Sequence, residues 1–253
     1  MKKNLLLISL LLLFVSTFMF GEFVIGVASQ HLGNDWNRGV VKGIKDEMEA
    51  LELEYIHTNA RGDTNQQVND VENFLLRGVD AVIIAGGEGP AFAPVMKKLN
   101  DAGIPVITID IASEYALTNI TSDNFNAGEK LSLYTVNKLR ASGQIVVFDT
   151  PGWQSLLIRG RMLDAVLVDY PNVEVVARFE CSVIDSVNNS YQQMKSYLLS
   201  NPNVGAVYCT WGLPAIGASK AIKELGMEDE IFVVCVDADQ AILQEMMSEN
   251  SPL

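Results

Sequence analysis

From Phe23 onward the chain alternates short apolar runs with amphipathic helical stretches, and that alternation leaves few architectures open. Phe23–Ser29, Leu53–Thr58, Val79–Ala85 and Pro105–Ile109 read as strands. Between them lie a helix from Trp36 to Leu51, one opened by Asp63 and Thr64 in a capping-box pattern, and one carrying Phe92, Val95, Met96 and Leu99 at helical spacing. A break without a long periodic run covers Ile111–Asn124, ending in the turn-rich Thr121-Ser122-Asp123-Asn124. The alternation then restarts with a helix from about Asn126 to Arg140. Strands Ile145–Asp149, Val173–Phe179, Ala206–Thr210 and Ile231–Val236 follow, with helices between them. Repeated strand–helix units predict parallel sheets with right-handed crossovers and helices on both faces. The fold class is therefore α/β, with one lobe expected over residues 22–122 and a second over 123–253.

Residues 1–21 are a separate object. Lys2 and Lys3 precede an apolar run from Leu5 to Leu13 that continues to Phe20 and Gly21. A basic start, an apolar stretch and a small residue near its end predict a secretory signal peptide and a periplasmic or extracytoplasmic location. The formal net charge of -13 excludes nucleic acid as a partner, because phosphate binding needs clustered Lys and Arg. Three cysteines, Cys181, Cys209 and Cys235, give no even-numbered disulfide framework, although a bridge between Cys209 and Cys235 is open.

Ligands of open parallel sheets sit beyond the carboxyl ends of the strands. Three predicted strands run out at residues suited to hold a polar molecule: VITID at Asp110, AVYCTW at Trp211 and VVCVD at Asp237. Other chemistry fits poorly. Gly86-Gly87-Glu88-Gly89 lacks the dinucleotide fingerprint and carries an anion, and Gly212–Gly217 has Ala218 where a phosphate loop needs Lys. His31 and His57 stand alone, so neither a metal site nor a catalytic triad is expected, and no G-x-S-x-G elbow is present. No cofactor and no catalytic residue is expected.

The chain resembles the periplasmic substrate-binding proteins of the ribose/galactose type, the receptor components of ABC sugar importers. Carrying that resemblance are Ser29 with Asn34-Asp35-Trp36-Asn37, Arg77–Ile84, Ala102–Asp110, Thr121–Gly128, Arg159-Gly160, Asn201–Cys209, Gly217–Ile222 and Val233–Asp239. It implies two hinged lobes that close on a sugar or polyol, with a membrane permease as partner. A sensory module docking on a chemoreceptor or sensor kinase is the alternative. Position by position it implies ligand contacts at Asn34, Trp36, Asp110, Arg159 (at the start of its helix), Trp211 and Asp237. Carboxylates accept from sugar hydroxyls, a guanidinium donates in a fixed fork, and indole faces pack on C–H faces.

Two departures are visible. Ile111 stands where many relatives carry Arg after the first cleft Asp, and Trp211-Gly212 replaces an Asn-Asp pair. Both point away from ribose in its usual pose and toward a less oxygen-rich sugar, a polyol or a modified furanose. The resemblance also implies a further C-terminal segment returning to the first lobe, which is not found before Leu253.

Overall fold

The computed structural model describes residues 22–253; the segment read as an export signal lies outside them. The first lobe runs β1 (Val24–Ser29), α1 (Asp35–Ala50), β2 (Glu54–Asn59), α2 (Thr64–Arg77), β3 (Ala81–Ala85), α3 (Gly89–Asp101), β4 (Val106–Ile109) and β5 (Thr118–Ile120). The second lobe runs α4 (Asn124–Lys138), β6 (Gly143–Asp149), α5 (Gln154–Leu167), β7 (Val173–Glu180) and α6 (Ser186–Leu198), then β8 (Ala206–Cys209), α7 (Gly212–Glu224), β9 (Phe232–Cys235) and α8 (Gln240–Met246). Every strand pairing is parallel. The sheet orders are β2-β1-β3-β4-β5 and β7-β6-β8-β9. In both, the chain reverses its direction of travel across the sheet after the second strand. That reversal parts the loops at the carboxyl ends of β1 and β3, and of β6 and β8, and leaves a crevice there.

Two short elements had no sequence signal. β5 is three half-exposed to exposed residues with no apolar alternation. α8 is seven residues long, capped by Asp239 accepting from the Ile242 N–H at 3.0 Å. Gln67 takes no part in the cap of α2. Asp63 does cap α2, accepting from Gln66 N–H at 3.1 Å. Gln67 is fully buried and donates instead to the carbonyls of Ala28 and Gly86 at 3.2 and 2.8 Å, tying α2 to the ends of β1 and β3.

Helices pack on both faces of each sheet. Phe74 of α2 with Phe92, Met96 and Leu99 of α3 covers one face of the first sheet, and Met48 of α1 joins Ile25, Val27 and Ile83 on the other. In the second lobe Met194 and Leu198 of α6 and Ala218 and Ile222 of α7 cover Val146, Phe148 and Val207, while Val136 and Leu163 cover Ile145, Val147 and Tyr208. Among the described residues no helix is long and apolar enough to cross a membrane.

The three cysteines are free. Cys209 and Cys235 are register partners on β8 and β9, yet no bond joins them. Burial pushes the Cys235 and Cys181 thiols up to about 12 and the Cys209 thiol well above its ordinary value. They act as small core hydrophobes, because the reactive thiolate is suppressed.

Close helix contact rests on glycine at one place in particular. A β-carbon on Gly217 of α7 would stand 2.1 Å from Ser190 Oγ and 2.2 Å from the Val187 carbonyl oxygen of α6. Gly43, on the exposed side of α1, would meet nothing within 4 Å. Gly217→Ala is expected to lower stability by about 2–3 kcal/mol through overpacking. Gly43→Ala should raise it by about 0.5–1 kcal/mol through helix propensity. Urea unfolding midpoints that move in the same direction for both variants would contradict this packing.

Candidate functional site in the cleft

All six residues singled out in the sequence line one cavity between the lobes: Asn34, Trp36 and Asp110 from the first, Arg159, Trp211 and Asp237 from the second. The same cavity adds His31, Asn37, Trp153, Ser155, Leu156 and Val183. About 510 Å³ of atom-free space lies between these residues, counting the part open to solvent.

The first-lobe wall comes from the β1–α1 loop and the end of β4. Asn34 is the N-cap of α1, and its Oδ1 accepts from the Asn37 backbone N–H at 2.8 Å and from Asn37 Nδ2 at 2.9 Å. Its oxygen is therefore committed to the helix, and only its amide nitrogen is free to serve a ligand. Trp36, the second residue of α1, keeps 39% of its surface exposed. Asp110 sits in the left-handed region at φ 58°, unusual for a residue with a β-carbon. Its Oδ1 accepts from the Thr121 hydroxyl at 2.5 Å, and its backbone N–H is held by the Ile120 carbonyl at 3.1 Å. Strain of this kind persists where surrounding bonds over-determine it.

Across the gap, Arg159 lies one and a half turns into α5, not at its start, and is 8% exposed. Its depth follows from its partners. Nε donates to Asn124 Oδ1 at 2.9 Å, one terminal nitrogen donates to the Thr210 carbonyl at 2.9 Å, and Asp237 Oδ1 is 3.6 Å away. Asn124 comes from the Ser122-Asp123-Asn124 turn, where Asp123 caps α4 through the Asn126 N–H at 3.1 Å. The turn thus serves the cleft indirectly, by holding the guanidinium.

Trp153 and Trp211 occupy the N-cap positions of α5 and α7. Neither can cap, a role that Ser, Thr, Asp or Asn fills at a gain of about 1 kcal/mol. At α7 the vacancy is filled from another strand: Asp237 Oδ2 accepts from the Gly212 N–H at 2.9 Å. The Trp211 indole N–H is buried with no hydrogen-bond partner among the described residues. An unmet buried donor costs about 1–3 kcal/mol, so this N–H suits an acceptor atom in the cavity.

The lobes meet around this cavity. Gly86 has φ 70°, and a β-carbon there would stand 3.3 Å from Trp36 and 3.5 Å from Trp153. Gln154 accepts from the Ala112 N–H across the gap. Ile184 of the second lobe lies against Gly62 of the first. Trp153 was missed in the sequence because no strand-end pattern marks it; it follows the Asp149-Thr150-Pro151-Gly152 turn. His31 carries no sequence signal because no metal-ligand or nucleophile partner stands near it, and Asn37, although part of the Asn34–Asn37 motif, has no assigned contact.

Burial raises the Asp237 pKa above its ordinary value, outweighing attraction to Arg159 and the Gly212 N–H bond. The folded state then holds this proton to higher pH than the unfolded chain does. Stability contributed by protonated Asp237 is lost as pH rises from near 3.8 through the folded-state value. Asp237→Asn should therefore raise the ligand-free unfolding midpoint at pH 7 relative to wild type. The difference should shrink to nothing near pH 3. A difference independent of pH would contradict the burial cost.

Comparison with known proteins gives the same picture. The periplasmic binding protein domain matches residues 25–252. The ribose import binding protein of Bacillus subtilis is 27% identical over 225 residues, covering 88% of this chain and 72% of that protein. An ABC sugar transporter subunit from Rhodobacter sphaeroides superposes with a TM-score of 0.87 at 27% identity, covering 90% of this chain and 83% of that one. An ABC transporter solute binding protein from Agrobacterium vitis, solved with bound allitol, gives 0.86 at 26% identity, covering 90% and 80%. With two parallel-sheet lobes, a cleft at the strand ends and a family match over nearly all described residues, this chain belongs to the periplasmic binding protein domain family.

Proposed function

We propose that the protein is the extracytoplasmic binding component of an ABC importer and captures a monosaccharide or polyol between its lobes. The observation that carries this reading is the cavity wall: two carboxylates and all three tryptophans of the chain line one space. Asp110 and Asp237 accept from ligand hydroxyls, and the unshared N–H groups of Arg159 donate to ligand oxygens. Trp36, Trp153 and Trp211 pack on C–H faces and exclude water. Three indoles around two acids suit a small, neutral, polyhydroxylated molecule with substantial apolar faces. A missing hydroxyl would leave a carboxylate oxygen of the closed, dewatered cleft short of a donor, which gives the site its discrimination.

No bond is made or broken in this role. The lobes, taken as residues 22–122 and 123–253 and hinged near Ser122, close around the ligand and open to release it to a membrane permease. The names of the relatives support this reading: one is a ribose import binding protein, and one neighbour carries allitol.

A panel of pentoses, hexoses and linear polyols tests it by thermal shift and intrinsic fluorescence. At saturation the true ligand should raise the unfolding midpoint by on the order of 5 °C or more. Because every tryptophan faces the cavity, the same ligand should change the emission spectrum and be recovered chemically unchanged. Asp110→Ala should weaken binding on the order of a hundredfold. Turnover of the ligand, or binding that leaves tryptophan emission untouched, would overturn the assignment.

A further inference from the structure

The polar trio at the first-lobe edge of the cavity is one acceptor short. His31 is 7% exposed and Asn37 3%, and both line the cavity. The Gly33 backbone N–H is a donor without alternative, and it lies 2.9 Å from His31 Nδ1. Nδ1 therefore carries the lone pair. Burial holds the imidazole pKa below its ordinary value, so the ring is neutral near pH 7 and its proton is on Nε2.

That N–H faces the wrong partner. Asn37 Nδ2 stands 3.2 Å from His31 Nε2, and it also donates to Asn34 Oδ1 at 2.9 Å. Asn34 Oδ1 is fixed as an oxygen by the Asn37 backbone N–H at 2.8 Å. Two donors therefore meet at 3.2 Å. Turning the Asn37 amide over satisfies His31 but sets its oxygen against that of Asn34. Moving the ring proton to Nδ1 sets it against the Gly33 N–H. Every assignment leaves a buried polar group facing its own kind, and the one that keeps both fixed backbone bonds and the Asn34–Asn37 bond lacks only an acceptor.

We propose that His31 Nε2–H, with the second Nδ2 hydrogen of Asn37, is a specificity-determining donor pair that reads an oxygen of the ligand. This rests on the sugar-or-polyol reading above and adds a polarity to it. As carboxylates, Asp110 and Asp237 accept, so they bind ligand hydroxyls as donors. His31 and Asn37 demand an oxygen that accepts: a hydroxyl, a ring oxygen or a carbonyl. A ligand deoxygenated at that corner, or bearing an ammonium group there, leaves the donors unpaired and is rejected.

The test uses the full chain and calorimetric titration with D-ribose, D-allose, xylitol and allitol, then with each monodeoxy analogue of whichever binds. One analogue should bind wild type about tenfold weaker than its parent or worse. In His31→Phe, which keeps a ring and removes both nitrogens, that ratio should fall to about one. A variant that weakens parent and every analogue by the same factor would assign His31 a purely structural role and overturn the proposal. A second measurement does not depend on the variant folding. The chain has only two histidines, so nitrogen–proton NMR of the imidazoles resolves His31 in wild type. A protonated Nε2 whose signal moves on adding the bound sugar or polyol is expected, and a signal indifferent to it would sink the proposal. Failure of all four compounds to bind wild type would instead bring down the sugar-or-polyol reading, and this inference with it.

Discussion

The Arg159 guanidinium is a charge taken out of water, and the second half of the cleft is arranged to make that tolerable. Removing an ion from solvent costs several kcal/mol unless hydrogen bonds and an opposite charge replace hydration. Asn124, the Thr210 carbonyl and Asp237 supply these from three elements far apart in sequence. Each partner is thereby fixed in place: the turn entering α4, the end of β8 and the end of β9. Asp237 has a second obligation, since it also receives the first amide of α7. At 3.6 Å its pairing with Arg159 is loose, leaving capacity on both groups for a third party. A tight, fully satisfied ion pair would stabilise the empty protein and have little to offer a ligand.

The same economy governs the aromatic residues. Placing Trp153 and Trp211 at helix N-caps forfeits two capping bonds, and the site recovers one of them through Asp237. The left-handed Asp110 and the unmet Trp211 N–H add to the cost. Local rules are broken at the strand ends and obeyed through the sheets and their covering helices. That contrast is what separates a binding surface from the scaffold that carries it.

Legibility in the sequence follows the same division. The long strands and helices were readable because their apolar residues recur at the period of the element, as along Phe92, Val95, Met96 and Leu99. β5 and α8 were not, being too short to show a period. Asp110, Trp211 and Asp237 were readable because parallel sheets place their strand ends in the cleft, an inference of topology that needs no partner. Trp153 was not, because its significance lies in Gly86 facing it across the gap; His31 and Asn37 were not, because the sequence does not say which of their atoms the β1–α1 loop sets against the Gly33 amide and the Asn34 cap. Arg159 was identified as a residue but misplaced along its helix, since nothing in the sequence announces that Asn124 and Thr210 will hold it.

The two sheets repeat one topology, and the repetition explains why the cavity has the chemistry it has. In the orders β2-β1-β3-β4 and β7-β6-β8-β9, β4 corresponds to β9, so Asp110 and Asp237 are equivalent residues, each one or two positions past its strand. Likewise β1 corresponds to β6, and Trp36 and Trp153 both belong to the start of the helix that follows. Bringing the carboxyl ends of two such sheets together sets acid opposite acid and indole opposite indole. β3 and β8 break the match: Gly86 follows one and Trp211 follows the other. The glycine is what lets Trp36 and Trp153 approach the first sheet so closely, while Trp211 fills the corresponding place opposite. A cleft built this way is symmetric in its hydrogen-bond acceptors and asymmetric in its bulk. Only one face of the space is narrowed by a third indole, so the two walls match in their acceptors and differ in their shape.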